Sequence, residues 1–491
     1  MTAYDDLMIH QRQTEAISAV AERLAWDQET MMPQGAAEQR GEEIAALEGV
    51  LHARRTDARI GDWLAAITPA DAVAAAQIRL IAQSYARATK VPMRLAQALA
   101  RLTSTAQGVW AGARAANDVA AFLPTLSELL TLKREEAACY ADGGDLYDAL
   151  LDGFEPGETG ASIAALFGRM RPRLVALRSA IFDQPAPDGL QGRFARDKQL
   201  GFAREMAGVF GYDFERGRLD LAVHPFSSGS ASDVRITTRV DEADPFNCLY
   251  STIHEVGHAC YEQGVDPAYA LTPVGHGASM GVHESQSRIY ENQLGRSAAF
   301  TGWLHGRMVA AFGSSGAPDA AGFTRAVNRV RSGYIRTESD EVQYNLHVML
   351  RFDLERALIA GDLAVGDLEA AWNDRFLADF GVAVDQPANG MLQDVHWSCG
   401  LFGYFPTYSL GNVYAGCLHQ ALRRDIPDLD DQMAAGDLRG AVGWLHRKVQ
   451  MHGGLLAPRA IITQACGGVE PTEEPLLDYL EAKFMGLYGL T

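Results

Sequence analysis

Apolar residues recur at three- and four-residue spacing, with many alanines between them, over 8–32, 36–55, 71–88, 92–116, 120–141 and 160–182. Each of these segments is predicted to be a helix. The period breaks at Gly153–Gly160 and Asp183–Gly192, where proline, glycine and acidic residues intervene; both stretches are too short and too varied for a flexible tether. No fixed-length period marks a repeat array. From Arg218 to Val240 the pattern changes: RLDLAVHPF and SDVRITTRV alternate apolar and polar residues on either side of SSGSAS, which predicts a hairpin-like pair of short strands. Helical spacing then returns over 245–264, 279–297, 320–332, 338–360, 366–380, 406–423, 438–452 and 474–488. The expected fold is mainly α with one small β-sheet.

Composition narrows the class. With 47% hydrophobic and 21% charged residues the chain is globular, and 491 residues bury a large core. A formal net charge of −19 repels phosphate backbones and anionic bilayers, so neither nucleic acid nor a membrane is expected as a partner. The opening MTAYDDLMIHQRQ lacks a basic region followed by an apolar run, so no secretory signal is expected, and no apolar stretch is long enough to span a bilayer. Six scattered cysteines without a CxxC pair fit neither a disulfide framework nor a thiolate metal site. They are expected to be small buried hydrophobes in a cytoplasmic protein.

The chemistry concentrates at HEVGH, residues 254–258, inside the helical CLYSTIHEVGHACYEQG. His254 and His258 leave one helical face a turn apart and can converge on one ion. Glu255 is rotated away from that face, placed to take a proton from water rather than to bind the metal. A catalytic zinc site needs a third protein ligand and an open position. Gly264 stands where a metzincin would carry histidine. MGVHESQSRIYENQLG reads as a second helix after a connecting loop, and its Glu284 completes a His2Glu set; Glu291, two turns on, is the second choice. Glu262, a turn past His258, is read as a neighbour of the site.

Beyond this helix, the chain carries in order WDQETMMP (26–33), HPF (224–226), DVRITT (233–238), HESQ (283–286), IRTESD (335–340) and GMLQDVHW (390–397). In this series it resembles the carboxypeptidase Taq family of metallocarboxypeptidases along its whole length. The resemblance implies a single domain over 1–491, two-lobed and helical with a deep central groove, with an N-terminal lobe at about 1–190 and a catalytic lobe at about 191–491. It implies zinc on His254, His258 and Glu284, catalysis by Glu255, a homodimer, and release of C-terminal amino acids from peptides with a free C-terminus. Cobalt or another divalent ion suits the same donors.

Further roles rest on softer signals. Arg336 is the first choice for a substrate carboxylate, because a guanidinium donates two parallel charge-assisted bonds; its structural alternative is an ion pair with Glu338, Asp340 or Glu341. Arg235 is the runner-up, with an ion pair to Asp233 the better structural reading. His224 in HPF is a candidate for shaping substrate selectivity. His396 and Tyr404 or Tyr408 are candidate donors to the charge that develops on the substrate carbonyl oxygen. Trp397, Phe402 and Phe405 read as groove wall or core, and His276 as a solvated loop histidine. The alternatives to a carboxypeptidase are a zinc oligopeptidase or dipeptidyl-releasing enzyme with the same donors, and a non-catalytic peptide-binding protein. The intact Glu255 and metal set argue against the last.

Overall fold

The computed structural model describes residues 2–313, 317 and 319–490. It is mainly helical with one three-stranded sheet. The chain forms two compact units: one comprises 1–89, 187–329 and 414–471, the other 90–186, 330–413 and 472–491. Each unit draws on both halves of the sequence, and one changeover, at 186/187, falls within the proline-rich break at Asp183–Gly192.

In the first unit, the helices Ala3–Thr30 and Ala37–Arg55 pack together, and Leu7, Met8, Ile60 and Ile81 form a buried cluster beside Trp63 and Tyr85. The sheet holds β1 (Leu219–Leu221), β2 (Ser227–Ser230) and β3 (Asp233–Thr238) in the order β1-β3-β2. This corrects the expected pairing. RLDLAVHPF and SDVRITTRV do not form the hairpin; β1 runs parallel to β3, and the hairpin is made by SSGS itself, antiparallel to β3. Serine and glycine carry no apolar alternation, so the pattern concealed this strand. Gly229 has φ +95°, and a Cβ there would lie 2.0 Å from the Asp233 carbonyl oxygen, so only glycine fits. Ala231 makes the tight turn with φ 54°. Val234 and Ile236 bury one face of β3, and Thr238 Oγ1 donates to the Cys248 carbonyl at 3.1 Å, tying the strand to the helix that follows.

That helix, Pro245–Gly264, starts where the sequence predicts: Asp244 caps it by accepting from the Phe246 N–H, and Pro245 takes the first turn, where no amide donor is needed. Its return partner, Met280–Arg288, is capped by Ser279 and widens into a π-helical turn over Ile289–Leu294. The two helices meet at Gly257, where an added Cβ would stand 2.5 Å from Ser287 Cα and 2.6 Å from the Gln286 carbonyl oxygen.

The second unit is built on Met93–Ala116, Val119–Ala141, Gly160–Phe182, Glu341–Ala360 and Leu368–Phe380, with Tyr147 and Phe167 packed edge-on to Phe352. Buried Glu355 accepts from Tyr147 Oη, Trp397 Nε1 and the Gly403 N–H, fixing the loop between the last of these helices and Pro406–Asp425. Helices at 58–66, 146–151, 196–209, 298–312, 429–434 and 458–465 lie outside the predicted set. None of the six cysteines is joined in a disulfide, and four of them are buried. No helix among the described residues is long and apolar enough to cross a membrane.

Gly257→Ala is expected to force the two helices apart at a cost of about 1–3 kcal/mol. Chemical denaturation of the purified variant reads this directly, and a midpoint equal to wild type would contradict the close crossing.

Candidate metal centre

One helical turn separates His254 from His258, and the crossing at Gly257 delivers Glu284 to both. Ligand atoms of the three residues all lie within 4.8 Å of one another. Glu284 Oε2 is 3.4 Å from His258 Nε2 and 3.8 Å from His254 Nε2.

Both imidazoles are held from behind. His254 Nδ1 lies 2.9 Å from Glu291 Oε2, and His258 Nδ1 lies 2.8 Å from His283 Nδ1. Each Nε2 is thereby directed toward Glu284. Glu291, the second-choice ligand, therefore contacts the opposite edge of His254 from Glu284; its carboxylate is further bound by Arg288 and Arg296, both at 3.2 Å. Glu284 accepts from Arg288 Nε at 2.7 Å and from Ser287 Oγ at 3.1 Å.

The charges suit a cation. Burial alone would raise the Glu284 carboxyl, but Arg288 and the imidazoles hold it well below the usual range, as an anion. Burial lowers His258 to about 4, so its imidazole is neutral, the form a metal ligand requires. At His254 burial also acts downward, yet the Glu284 charge and the Glu291 hydrogen bond win and raise it, which marks a position where positive charge is favoured. Two imidazoles and a carboxylate are a donor set for zinc, with cobalt and other borderline divalent ions also suited. Glu255 is only 7% exposed, and burial pushes its carboxyl up to about 7.

Of the remaining candidates, two lie in the first unit. Arg235 pairs with Asp233 at 2.8 Å and stands over the Trp26 ring at 4.4 Å, an arrangement that matches the structural reading. His224 is exposed in the bend between β1 and β2.

The others belong to the second unit. Arg336 opens a short 3-10 turn and is buried. Its partner is Asp394, at 2.9 Å, together with Tyr344 Oη at 3.0 Å. Glu338, Asp340 and Glu341 are not its partners: Asp340 caps the helix Glu341–Ala360, and Glu341 pairs with Lys483. Arg351 shares the same Asp394, at 2.5 Å. Burial would raise Asp394, but the two guanidinium groups hold it far below its ordinary range. His396 Nε2 is 3.2 Å from Tyr408 Oη, its ring lies 4.3 Å from that of Phe405, and burial lowers it to about 3, so it is neutral. Tyr404 packs against Phe154 and Tyr408. Trp397, Phe402 and Phe405 are core residues.

Sequence reasoning left His283 without a role and gave Glu262 none beyond proximity. Their only signal was position, His283 adjoining Glu284 and Glu262 one turn past His258.

Comparison with known proteins gives the family that the chain resembles. The family model for the carboxypeptidase Taq (M32) metallopeptidases matches residues 6–484. The chain is 40% identical to thermostable carboxypeptidase 1 of Thermus thermophilus, with 99% of each chain covered. Among solved structures, an M32 carboxypeptidase from Deinococcus radiodurans superposes with a TM-score of 0.95 at 38% identity, covering 99% of each chain. Metallocarboxypeptidase 1 of Trypanosoma cruzi gives 0.94 at 34% identity, covering 98% of this chain and 99% of that one.

Asp394→Ala leaves Arg336 and Arg351 buried without their shared counter-charge, and is expected to cost about 3–5 kcal/mol. A denaturation midpoint within error of wild type would show that other groups neutralise the pair.

Proposed function

The chain belongs to the carboxypeptidase Taq (M32) metallopeptidase family and is a peptide-bond hydrolase; on that premise we propose that it is a zinc-dependent metallocarboxypeptidase releasing single amino acids from the C-terminus of peptides. The observation that carries this reading is the convergence of His254, His258 and Glu284 on one point, both imidazoles oriented from behind. Zinc held by these three residues would supply Lewis acidity for activating water and polarising the scissile carbonyl.

Glu255 takes the proton from the attacking water and returns it to the leaving amine. Its burial supports this role, since desolvation raises the proton affinity of the carboxylate. Arg336 is the group proposed for the substrate's terminal carboxylate, with Asp394 keeping its guanidinium in place. His396, with Tyr404 and Tyr408, supplies donors for the charge developing on the carbonyl oxygen; His396 Nε2 lies 3.2 Å from Tyr408 Oη. His224 is assigned to substrate selection, whereas Arg235, the runner-up for the substrate carboxylate, is engaged by Asp233. The remaining features of the proposal, a cytoplasmic location and a homodimer, rest on the scattered cysteines without a CxxC pair and on the family resemblance, respectively.

The test is hydrolysis of one short peptide with a free and then an amidated C-terminus, before and after chelation and zinc readdition, read by mass spectrometry. Stepwise loss of single residues from the free peptide alone, restored by zinc, is expected. Internal cleavage of both peptides would identify an oligopeptidase instead.

Glu255→Gln is expected to lower kcat by a factor of about 10²–10⁴ with zinc still bound. In wild type the base must be ionised, so kcat/KM falls as the pH drops through the Glu255 value. That value is about 7 without a cation, and the positive charge of a bound ion moves the acid limb lower. An acid limb that persists unchanged in Glu255→Gln would assign it to another group.

A further inference from the structure

A neutral imidazole that ligates through Nε2 carries its proton on Nδ1, and something must accept that proton if the ring is to be held. For His254 the acceptor is a carboxylate, Glu291. For His258 it is another imidazole, since Nδ1 of His258 and Nδ1 of His283 are 2.8 Å apart. A contact this short requires one donor and one acceptor. With His258 donating, His283 accepts at Nδ1 and carries its own proton on Nε2. That nitrogen is 2.9 Å from Glu262 Oε1, which also accepts from the Gly277 N–H at 2.9 Å. With that polarity, the tautomers of both rings follow from one acceptor, Glu262.

The surroundings are built for this chain of contacts. Glu262 is 7% exposed, and its other oxygen accepts no hydrogen bond from the described residues. It faces His276 Nδ1 at 3.9 Å; His276 Nε2 is in turn 3.3 Å from Glu15 on the N-terminal helix. His276 is therefore no freely solvated loop histidine. Burial would lower it, but Glu15 and Glu262 outweigh that and hold it at about 9, as a cation beside Glu262. Burial would likewise raise the Glu262 carboxyl, yet the bond to His283 and the nearby histidines lower it. His283 lies in contact with the Tyr261 ring, 5.1 Å between centroids. A Cβ at Gly277 would come within 2.7 Å of His283 Cδ2 and 2.9 Å of Tyr261 Cε1, so the loop glycine makes room for the ring.

We propose that Glu262 is a positioning residue of the metal centre, acting through His283 to hold His258 in the form that ligates through Nε2 and so setting the affinity of the site for a divalent cation. The proposal rests on the metallopeptidase reading of His254, His258 and Glu284. It makes the two histidine ligands unequal: Glu291 backs one directly, whereas an intervening imidazole carries the influence of Glu262 to the other.

The test uses the full chain, stripped by chelation and titrated with Co²⁺ against a chromophoric chelator. Glu262→Gln keeps the shape and an acceptor oxygen but removes the charge, and is expected to weaken Co²⁺ binding by about 10–100-fold and to shift the visible absorption of the bound cobalt. His283→Phe is expected to weaken binding comparably, and Glu262→Gln in that background to add nothing further. Glu262→Gln binding as tightly as wild type, or the same additional loss appearing in the His283→Phe background, would overturn the relay. Should Glu262→Gln fail to fold, Gly277→Ala crowds the His283 ring while keeping the Glu262 charge and its backbone donor in the chain; weakened binding supports the relay and wild-type binding overturns it. A wild-type chain that binds no Co²⁺ would overturn the metal reading and the relay together.

Discussion

The arrangement of the metal centre depends on how closely two helices approach at Gly257. With any side chain there, Ser287 and Gln286 of the return helix could not lie against the HEVGH helix at their present separation. The approach matters because the two histidines and Glu284 come from different helices, and a carboxylate side chain is too short to bridge a normal interhelical gap of about 8–10 Å between axes with freedom to spare. Glycine at the crossing replaces that freedom with a fixed position. The π-helical turn that follows has a related effect: it places Glu291 against His254 Nδ1, away from Glu284.

Close approach buries charge, and the structure answers by alternating signs. Glu284 and Glu291 share Arg288, and Glu291 also meets Arg296. In the second unit the signs are reversed, one carboxylate, Asp394, serving Arg336 and Arg351. Buried ions are tolerated when each is paired and hydrogen-bonded, and removing one partner exposes the full desolvation cost of the other. Such networks also hold side chains in one orientation, which a catalytic or ligating group requires.

Much of this was legible in the sequence where one element carried the information. The helices 245–264 and 474–488 match their predicted bounds to the residue, because apolar spacing is sustained through both, and in the structure Asp244 and Pro245 fix the start of the first. The convergence of His254 and His258 follows from a single helical turn. Signals failed where side chains carry no pattern, as in Ser227–Ser230, or where an element is too short to establish a period, as in Leu146–Leu151 and Leu429–Ala434. Contacts between distant segments were also hidden. The structural alternative for Arg336 is an ion pair with a neighbour in sequence, whereas its partner, Asp394, is reached only through the fold. The support of His258 by His283 and Glu262 likewise exists only once the return helix and the loop glycine at 277 are in place.

The most direct measurement is an anomalous-difference map at the zinc absorption edge from crystals of the full chain grown with zinc. The account predicts one strong peak bonded to Nε2 of His254, Nε2 of His258 and a carboxylate oxygen of Glu284, with Glu291 remaining on His254 Nδ1. A peak ligated by Glu291 in place of Glu284, or no ordered zinc between the two histidines, would contradict it.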